Sequence, residues 1–289
     1  SRGRTRAFIK VQDGCDQRCT FCVTTLARGP GRSRSVEAIK GDISSALAGG
    51  AKEVVLTGVD LTSWGGDLPG QPQLGALVAR VLKHAPELPM LRLSSLDAIE
   101  MDTQLFELVT QHERVAPYPH LSLQHGDDLI LKRMKRRHSR ARAIELCQKL
   151  KAARPEIALG ADLIAGFPTE TEEHFAHALS LIDVCGLAFV HAFPFSPREG
   201  TPAARMPQVE RRVVKERAAR LRTAGAAALV RHLDAWVGRE AVGVVEREGF
   251  ARLPDFTAVQ LPLSPAEKGP RVCLHFTAHD NQHLIGVAA

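Results

Sequence analysis

Short apolar runs alternate along this chain with stretches whose apolar residues recur every three or four positions. The runs at 8–12, 53–57, 90–94, 120–124, 158–164 and 188–193 have strand length, so each predicts a β-strand. Helices are predicted between them. Ser35 caps one that ends at Gly49 and Gly50, and Leu74, Leu77, Val78, Val81 and Leu82 make the single buried face of another. Ser139 caps a third, with Ile144, Cys147 and Leu150 inward. Thr169 and Glu172 have capping-box spacing ahead of Phe175, Leu179 and Ile182. Repeated strand–helix units build a parallel sheet, because parallel neighbours need a crossover. Periodicity is compatible with an open doubly wound sheet and with one curved toward a barrel. In both, ligands gather beyond the carboxyl ends of the strands.

After residue 193 the pattern changes. Thr201-Pro202 reads as the capped start of a helical region, which the Ala- and Arg-rich stretch 209–236 continues as a connector helix. Beyond Gly238 come short β-rich runs at 241–246, 257–261, 271–277 and 284–287, broken by Gly, Pro and Asp-Asn, which predict a small β-barrel. The expected domains are therefore 1–236, a core with its connector, and 237–289, the barrel.

Composition narrows the class. With 289 residues and 44% hydrophobic content, the chain can bury one large core and a small one. It has no apolar run long enough to span a bilayer, and the opening Ser1-Arg2-Gly3-Arg4-Thr5-Arg6 lacks a signal-like core, so a cytoplasmic protein without a membrane partner is expected. A net charge of +6 points to an anionic partner, nucleic acid first.

Three of the six cysteines, Cys15, Cys19 and Cys22, stand as C-x3-C-x2-C directly after the first strand. Such grouping is a ligand pattern, unlike the dispersed framework of secreted disulfide domains. Cys147, Cys185 and Cys273 are isolated in apolar or helical contexts and are expected in the core. The triplet could hold zinc with a ligand from elsewhere, although structural zinc sites usually present two separated pairs. It could equally hold a cubane iron–sulfur cluster, which normally takes four thiolates and would here keep one iron open.

With Phe21 directly before Cys22, the triplet resembles that of radical S-adenosylmethionine (SAM) enzymes. The resemblance extends to the methylthiotransferases through Gly14-Cys15-Asp16, Ala27-Arg28-Gly29, Arg32-Ser33-Arg34-Ser35, Val55-Leu56-Thr57-Gly58-Val59-Asp60, Gly166-Phe167-Pro168 and Gly200-Thr201-Pro202-Ala203-Ala204. Arg92-Leu93-Ser94-Ser95-Leu96-Asp97 and the run from Leu131 to Arg137 most resemble the branch acting on N6-threonylcarbamoyladenosine in tRNA.

The resemblance spans nearly the whole chain. It implies an α/β fold, a radical SAM partial (β/α)6 barrel followed by a small C-terminal β-barrel similar to the TRAM RNA-binding domain. It also implies a 4Fe–4S cluster on Cys15, Cys19 and Cys22 whose open iron chelates SAM, reductive cleavage to a 5′-deoxyadenosyl radical, and methylthiolation at carbon 2 of an adenine next to the anticodon. The implied partners are tRNA, an external low-potential electron donor and a sulfur source. SAM would lie across the strand tops at Thr57, Gly58, Ser94, Gln124 and Asp162, positions where a strand end, a turn or a fastened loop is the ordinary alternative. Relatives acting on isopentenyladenosine tRNA or on a ribosomal protein share most of these motifs. A non-catalytic RNA-binding module with a structural metal is the reading from another class.

Several side features complete the picture. Lys132, Arg133, Lys135, Arg136, Arg137, Arg140 and Arg142 form a basic run after the fourth strand, with Arg133, Lys135, Arg136 and Arg137 the expected RNA contacts and a solvated helix face the alternative. The N–H groups of 166–170 could face a polar ligand, His275, His279 and His283 read as surface positions, and Phe250 and Phe256 read as barrel core. Against the family pattern, no cysteine precedes Cys15 and the spare ones are not grouped, so the ligands of the family's second, auxiliary 4Fe–4S cluster are absent from this sequence. The expectation is a chain that generates the radical without completing sulfur insertion. Val23-Thr24-Thr25-Leu26 stands where an apolar pair, Pro and an aromatic are usual; His125-Gly126-Asp127-Asp128 replaces Ser-Gly-Ser-Asp, and Thr169 replaces Gly.

Overall fold

A computed structural model describes residues 5–97, 101–261 and 271–288; Ser1 to Arg4, part of the opening read above, and the outermost residues of both expected domains lie outside them. The first half runs β1 (Arg6–Lys10), β2 (Gln12–Asp13), α1 (Thr24–Arg28), β3 (Arg32–Ser33), α2 (Val36–Ala48), β4 (Glu53–Thr57), α3 (Leu74–His84), β5 (Met90–Leu93), β6 (Ser95–Leu96) and α4 (Thr103–Gln111). It continues through β7 (His120–Gln124), α5 (Asp128–Arg133), α6 (Arg140–Ala153), β8 (Leu159–Ala165), α7 (Glu172–Val184), β9 (Leu187–Pro194) and the connector α8 (Arg211–Asp234).

Seven strands pair in parallel, in the orders β1-β4-β5 and β6-β7-β8-β9, and the short β2 and β3 form an antiparallel pair of their own. One residue, Ser94, separates β5 from β6, so the two sheets follow each other around a curved wall whose edges are β1 and β9. This is the partial barrel. Phe8 on β1 and Phe193 on β9, 67% and 50% exposed, stand on the two edges of its gap. The outer face is covered by helices whose predicted apolar residues, the Leu74–Leu82 face of α3 and Phe175 and Ile182 of α7, share one core with Ile39 and Ile43 of α2; in α7 Leu181 takes the fully buried place and the expected Leu179 is partly buried against it. Helix α8 lies against β9 at close range; a side chain at Gly225 would meet Val190.

The small domain is a closed barrel of β10 (Glu240–Arg247), β11 (Phe250–Arg252), β12 (Ala258–Gln260), β13 (Arg271–His279) and β14 (Leu284–Ala288). Leu233, Leu229 and Trp236 from the end of the connector pack into its core. It docks at the amino end of the large barrel's strands. There Arg92 Nη1 donates to Pro254 O (3.0 Å) and Phe256 stacks on Tyr118 with ring centroids 4.6 Å apart.

Several sequence expectations change. Thr171, not Thr169, caps α7, in a box with His174, because Thr169 is held in a left-handed turn at φ 69°. Pro202–Arg205 is only a 3-10 turn, and the connector helix begins at Arg211. Cys147 and Cys185 are buried, but Cys273 is exposed: Leu274 and Phe276 take the inward positions of β13. Phe256, at φ 76°, turns out of the small barrel onto Tyr118, and Phe250 is half-buried beside His283 and Arg247.

Candidate active site

The cysteine loop lies between β2 and α1, at the carboxyl end of the strand barrel. Gly14 enters it at φ 73°, where any side chain would overlap the Pro30 carbonyl. The buried Gln12 then staples the loop to the turn after β4: its Nε2 donates to Gly14 O (2.8 Å) and its Oε1 accepts from Asp60 N (2.8 Å). Thr25 Oγ1 donates to Cys15 O (2.9 Å), and on the far side Thr20 N and Oγ1 donate to Met134 O (3.1 Å) and Arg133 O (2.8 Å). Phe21 meets Phe167 edge-on at 6.4 Å, in a cluster with Ile130, Met134, Ile164 and Ala203. Its signature position is thus an anchor that ties the loop to the apolar body.

Cys15, Cys19 and Cys22 line one cavity of about 160 Å³ together with Asp60, Gln124 and Arg136. Asp60 Oδ2 sits 3.6 Å from Cys15 Sγ and accepts from Gln17 Nε2 (3.0 Å) and Ser63 Oγ (2.8 Å). Arg136 Nη1 is 3.7 Å from Cys19 Sγ, while its Nη2 donates to Asp97 Oδ2 (2.7 Å) and Ser122 O (2.8 Å). Burial, with Asp60 adding to it, pushes the Cys15 thiol up to about 12. Burial also raises Cys19, only partly opposed by Arg136. Both thiols therefore keep their protons at neutral pH until a cation displaces them, the usual coupling of metal binding to proton release.

The spacing of these sulfurs bears on zinc against cluster. Among the described residues, the one His/Cys/Asp/Glu set whose ligand atoms all lie within 4.8 Å of one another is not the cysteine triplet. Thiols spread more widely suit a cubane, where each thiolate takes its own iron, better than a single shared ion. The residues present thus fit a 4Fe–4S cluster.

The expected SAM residues divide between two cavities. Gln124, at φ 65°, faces the cysteines, whereas Thr57, Ser94 and Asp162 line a lumen cavity of about 450 Å³ inside the barrel. Ser95 lines both, so the cavities adjoin. Ser94 Oγ is buried without a hydrogen-bond partner, an orphan that a polar ligand would satisfy. Gly58 packs against Gln12 and Leu61, where a Cβ would come within 3.1 Å of both. Asp162 is already engaged by His120 and His191.

The basic run is split by the fold. Arg136 is corrected from an RNA contact to a cavity residue: its side chain is 7% exposed because Asp97 draws it inward. Arg140 is occupied by Gly126 O, His177 O and Ser180 Oγ, and Arg133 donates to Thr169 Oγ1 (2.7 Å). Lys135 and Arg137 remain exposed, beside Lys132 and Arg142.

The turn at 166–170 is also spoken for. Gly166 N donates to Glu170 Oε1 (3.0 Å), the same carboxylate takes Arg217 of α8 (2.8 Å), and its other oxygen takes His125 Nε2 (3.0 Å). Asp127 N donates to His125 Nδ1 (3.0 Å), so this imidazole carries its proton on Nε2. His125, a departure from the family pattern, is thereby explained as a fully buried tie between the loops after β7 and β8. His275, His279 and His283 are half-buried on the small barrel and paired with acids, as surface positions should be. Sequence reasoning passed over Asp60, Asp97, His120 and His191. The last two had a signal, as polar residues on inward positions of apolar strands.

A strand barrel with three cysteines at its carboxyl rim defines a class, and the radical SAM superfamily profile matches residues 9–182. The chain belongs to that superfamily. Its relatives there include threonylcarbamoyladenosine tRNA methylthiotransferase MtaB of Rickettsia prowazekii, 50% identical over 259 residues, which are 90% of this chain and 62% of that protein. Another is tRNA-2-methylthio-N(6)-dimethylallyladenosine synthase of Erythrobacter litoralis, 38% identical, covering 84% of this chain and 55% of the relative. The chain thus spans about half to three-fifths of their length. In fold it is similar to the radical SAM methyltransferase TsrM of Kitasatospora setae, with a TM-score of 0.55 at 16% identity over 70% of this chain and 39% of that one. It is likewise similar to methylornithine synthase (PylB), with 0.52 at 18% identity over 81% and 70%. Among the described residues, no helix is long and apolar enough to cross a membrane.

Proposed function

We propose that this chain is the SAM-cleaving core, with an attached RNA-binding barrel, of a cytoplasmic tRNA methylthiotransferase acting on N6-threonylcarbamoyladenosine. The observation that carries the reading is the convergence of Cys15, Cys19 and Cys22 on one cavity at the carboxyl rim, in a chain half identical to a protein of that name. The cluster and SAM supply one-electron reductive cleavage of the sulfonium when bound. The chain's own residues do the rest. Cys15, Cys19 and Cys22 would hold the cluster, and Arg136, fixed by Asp97, would set a positive charge beside Cys19. Thr57, Ser94 and Gln124 would orient SAM from the strand ends, with Ser94 Oγ given a partner at last. Phe21 and Phe167 keep water from one side of the loop. Lys135 and Arg137, and the small barrel, would contact tRNA phosphates. An electron donor and a sulfur source are required from outside this chain.

Anaerobic reconstitution with iron and sulfide tests the reading. About four irons per chain and 5′-deoxyadenosine release from SAM under a strong reductant are expected, both lost in Cys15→Ala. Zinc uptake with no SAM cleavage would sink it. For the substrate, tRNA carrying the threonylcarbamoyl group should bind more tightly than tRNA lacking it; equal binding removes that assignment.

A further inference from the structure

Within the lumen, away from the cysteines, three ligand-type atoms converge. One ligand atom from each of His120, Asp162 and His191 lies within 4.8 Å of the other two. The single Asp162 oxygen is 2.9 Å from His120 and 3.2 Å from His191. The residues come from the adjacent strands β7, β8 and β9. Register pairs Asp162 with His191, and His120 with Gly160, two residues from Asp162 and so on the same face. A side chain at Gly160 would overlap both His120 Nδ1 and Tyr118 Oη, so its absence makes room for the imidazole. Tyr118 Oη lies 3.0 Å from His120 Nδ1 and fixes the ring, as the outer partner of a metal-ligating histidine does.

Bonds of about 2.0–2.2 Å from nitrogen or carboxylate oxygen to one ion place the ligand atoms roughly 3 Å apart, close to the 2.9 and 3.2 Å that already separate Asp162 Oδ1 from the two imidazoles. Two imidazoles and one carboxylate suit a first-row divalent ion, Mn²⁺ and Fe²⁺ included, whereas calcium and magnesium prefer all-oxygen sites. All three residues line the lumen cavity of about 450 Å³. Three protein ligands with space beyond them leave coordination positions open, as catalytic rather than structural sites do. We propose that His120, Asp162 and His191 bind one divalent transition-metal ion in the barrel lumen, with open positions facing the cavity. The site lies in the cavity that adjoins the cysteine cavity, and none of its three residues is among those that would hold the cluster. It also makes Asp162 a metal ligand instead of a SAM contact.

The test uses the full chain with its cluster reconstituted, so that the thiols are occupied, titrated with Mn²⁺ while the unbound ion is counted by its six-line EPR signal. One saturable equivalent is expected, weakened at least about 10-fold by Asp162→Asn or His191→Ala and about 10-fold by Tyr118→Phe, and unchanged by His283→Ala on the small barrel. Spin-echo modulation from imidazole nitrogen should accompany the bound ion and diminish in His191→Ala. Absence of a saturable equivalent, or one that survives both ligand substitutions, overturns the proposal. Should Asp162→Asn fail to fold by circular dichroism, His191→Ala and Tyr118→Phe decide: unchanged Mn²⁺ affinity in both overturns it, and weakening in both supports it.

Discussion

At the amino end of the barrel Glu53, 2% exposed, holds Arg6 and Arg92 at 2.5 and 2.8 Å, and both arginines reach on into the small barrel, to Glu246 and to the carbonyls of Leu253 and Pro254. At the carboxyl end, Ser94 Oγ and Arg136 Nε are buried without partners, two thiols are held protonated by burial, and Gln124 and Thr169 sit in left-handed backbone. The first end satisfies nearly everything it buries, since a buried ion pair left incomplete costs several kcal/mol. The second leaves polar atoms waiting, which is tolerable only where a ligand completes them. Barrel enzymes divide stability and chemistry between their ends in this way.

Substitutions at each end should separate the two properties. Glu53→Gln strands Arg92 and weakens Arg6, and should cost about 3–5 kcal/mol in denaturant unfolding while iron loading per folded chain stays the same. Cys15→Ala should do the reverse, with iron lost and the unfolding midpoint little changed. A Glu53→Gln protein that folds as well as the parent but loads no cluster would erase the distinction.

Acid should loosen the amino end through Asp255. Burial alone would raise this carboxyl, but His232 and the Thr257 N–H outweigh it and hold it below the usual range. A depressed folded value gives stability that is present above the unfolded carboxylate pKa of about 3.9 and lost as pH falls through the folded one. Trp236 Nε1 donates to Asp255 (2.9 Å), so in a Trp64→Phe background its fluorescence should change below pH 4, before the helical signal of the large barrel. Simultaneous loss of both signals would mean that the domains do not part separately.

The smallest effect is expected at the carboxyl end. Thr169→Gly relieves a left-handed β-branched residue but gives up the bond from Arg133, so stability should rise by no more than about 1 kcal/mol. A loss of more than that by thermal melting would show that the Arg133 contact matters more than the backbone.

What the sequence revealed follows from how local each signal is. The cysteine loop and the strand at Glu53–Thr57 depend on neighbours a few residues apart and stand where the spacing put them, whereas the run expected at 8–12 divides into β1, Arg6–Lys10, and the short β2, Gln12–Asp13. Arg136 looked like Lys135 and Arg137 because its partner, Asp97, lies 39 residues earlier. The Glu170 hub joins His125, 45 residues before it, to Arg217, 47 after it, and no periodicity links them. Phe256 alternates like a core residue, and only its positive φ turns it toward Tyr118. Cys273 was wrongly expected in the core, although its neighbours Leu274 and Phe276 already fixed which side of β13 faces in.

The stacked pair of Tyr118 and Phe256 has a consequence for traffic. The pair floors the lumen cavity on the side of the small barrel, and among the described residues the cavity also reaches the edge strands, at Phe8 of β1 and His191 of β9. A molecule covering the rim would leave the gap between the exposed Phe8 and Phe193 as a second way into that cavity among the described residues. A ligand in the lumen would then have a side door as well as a front one.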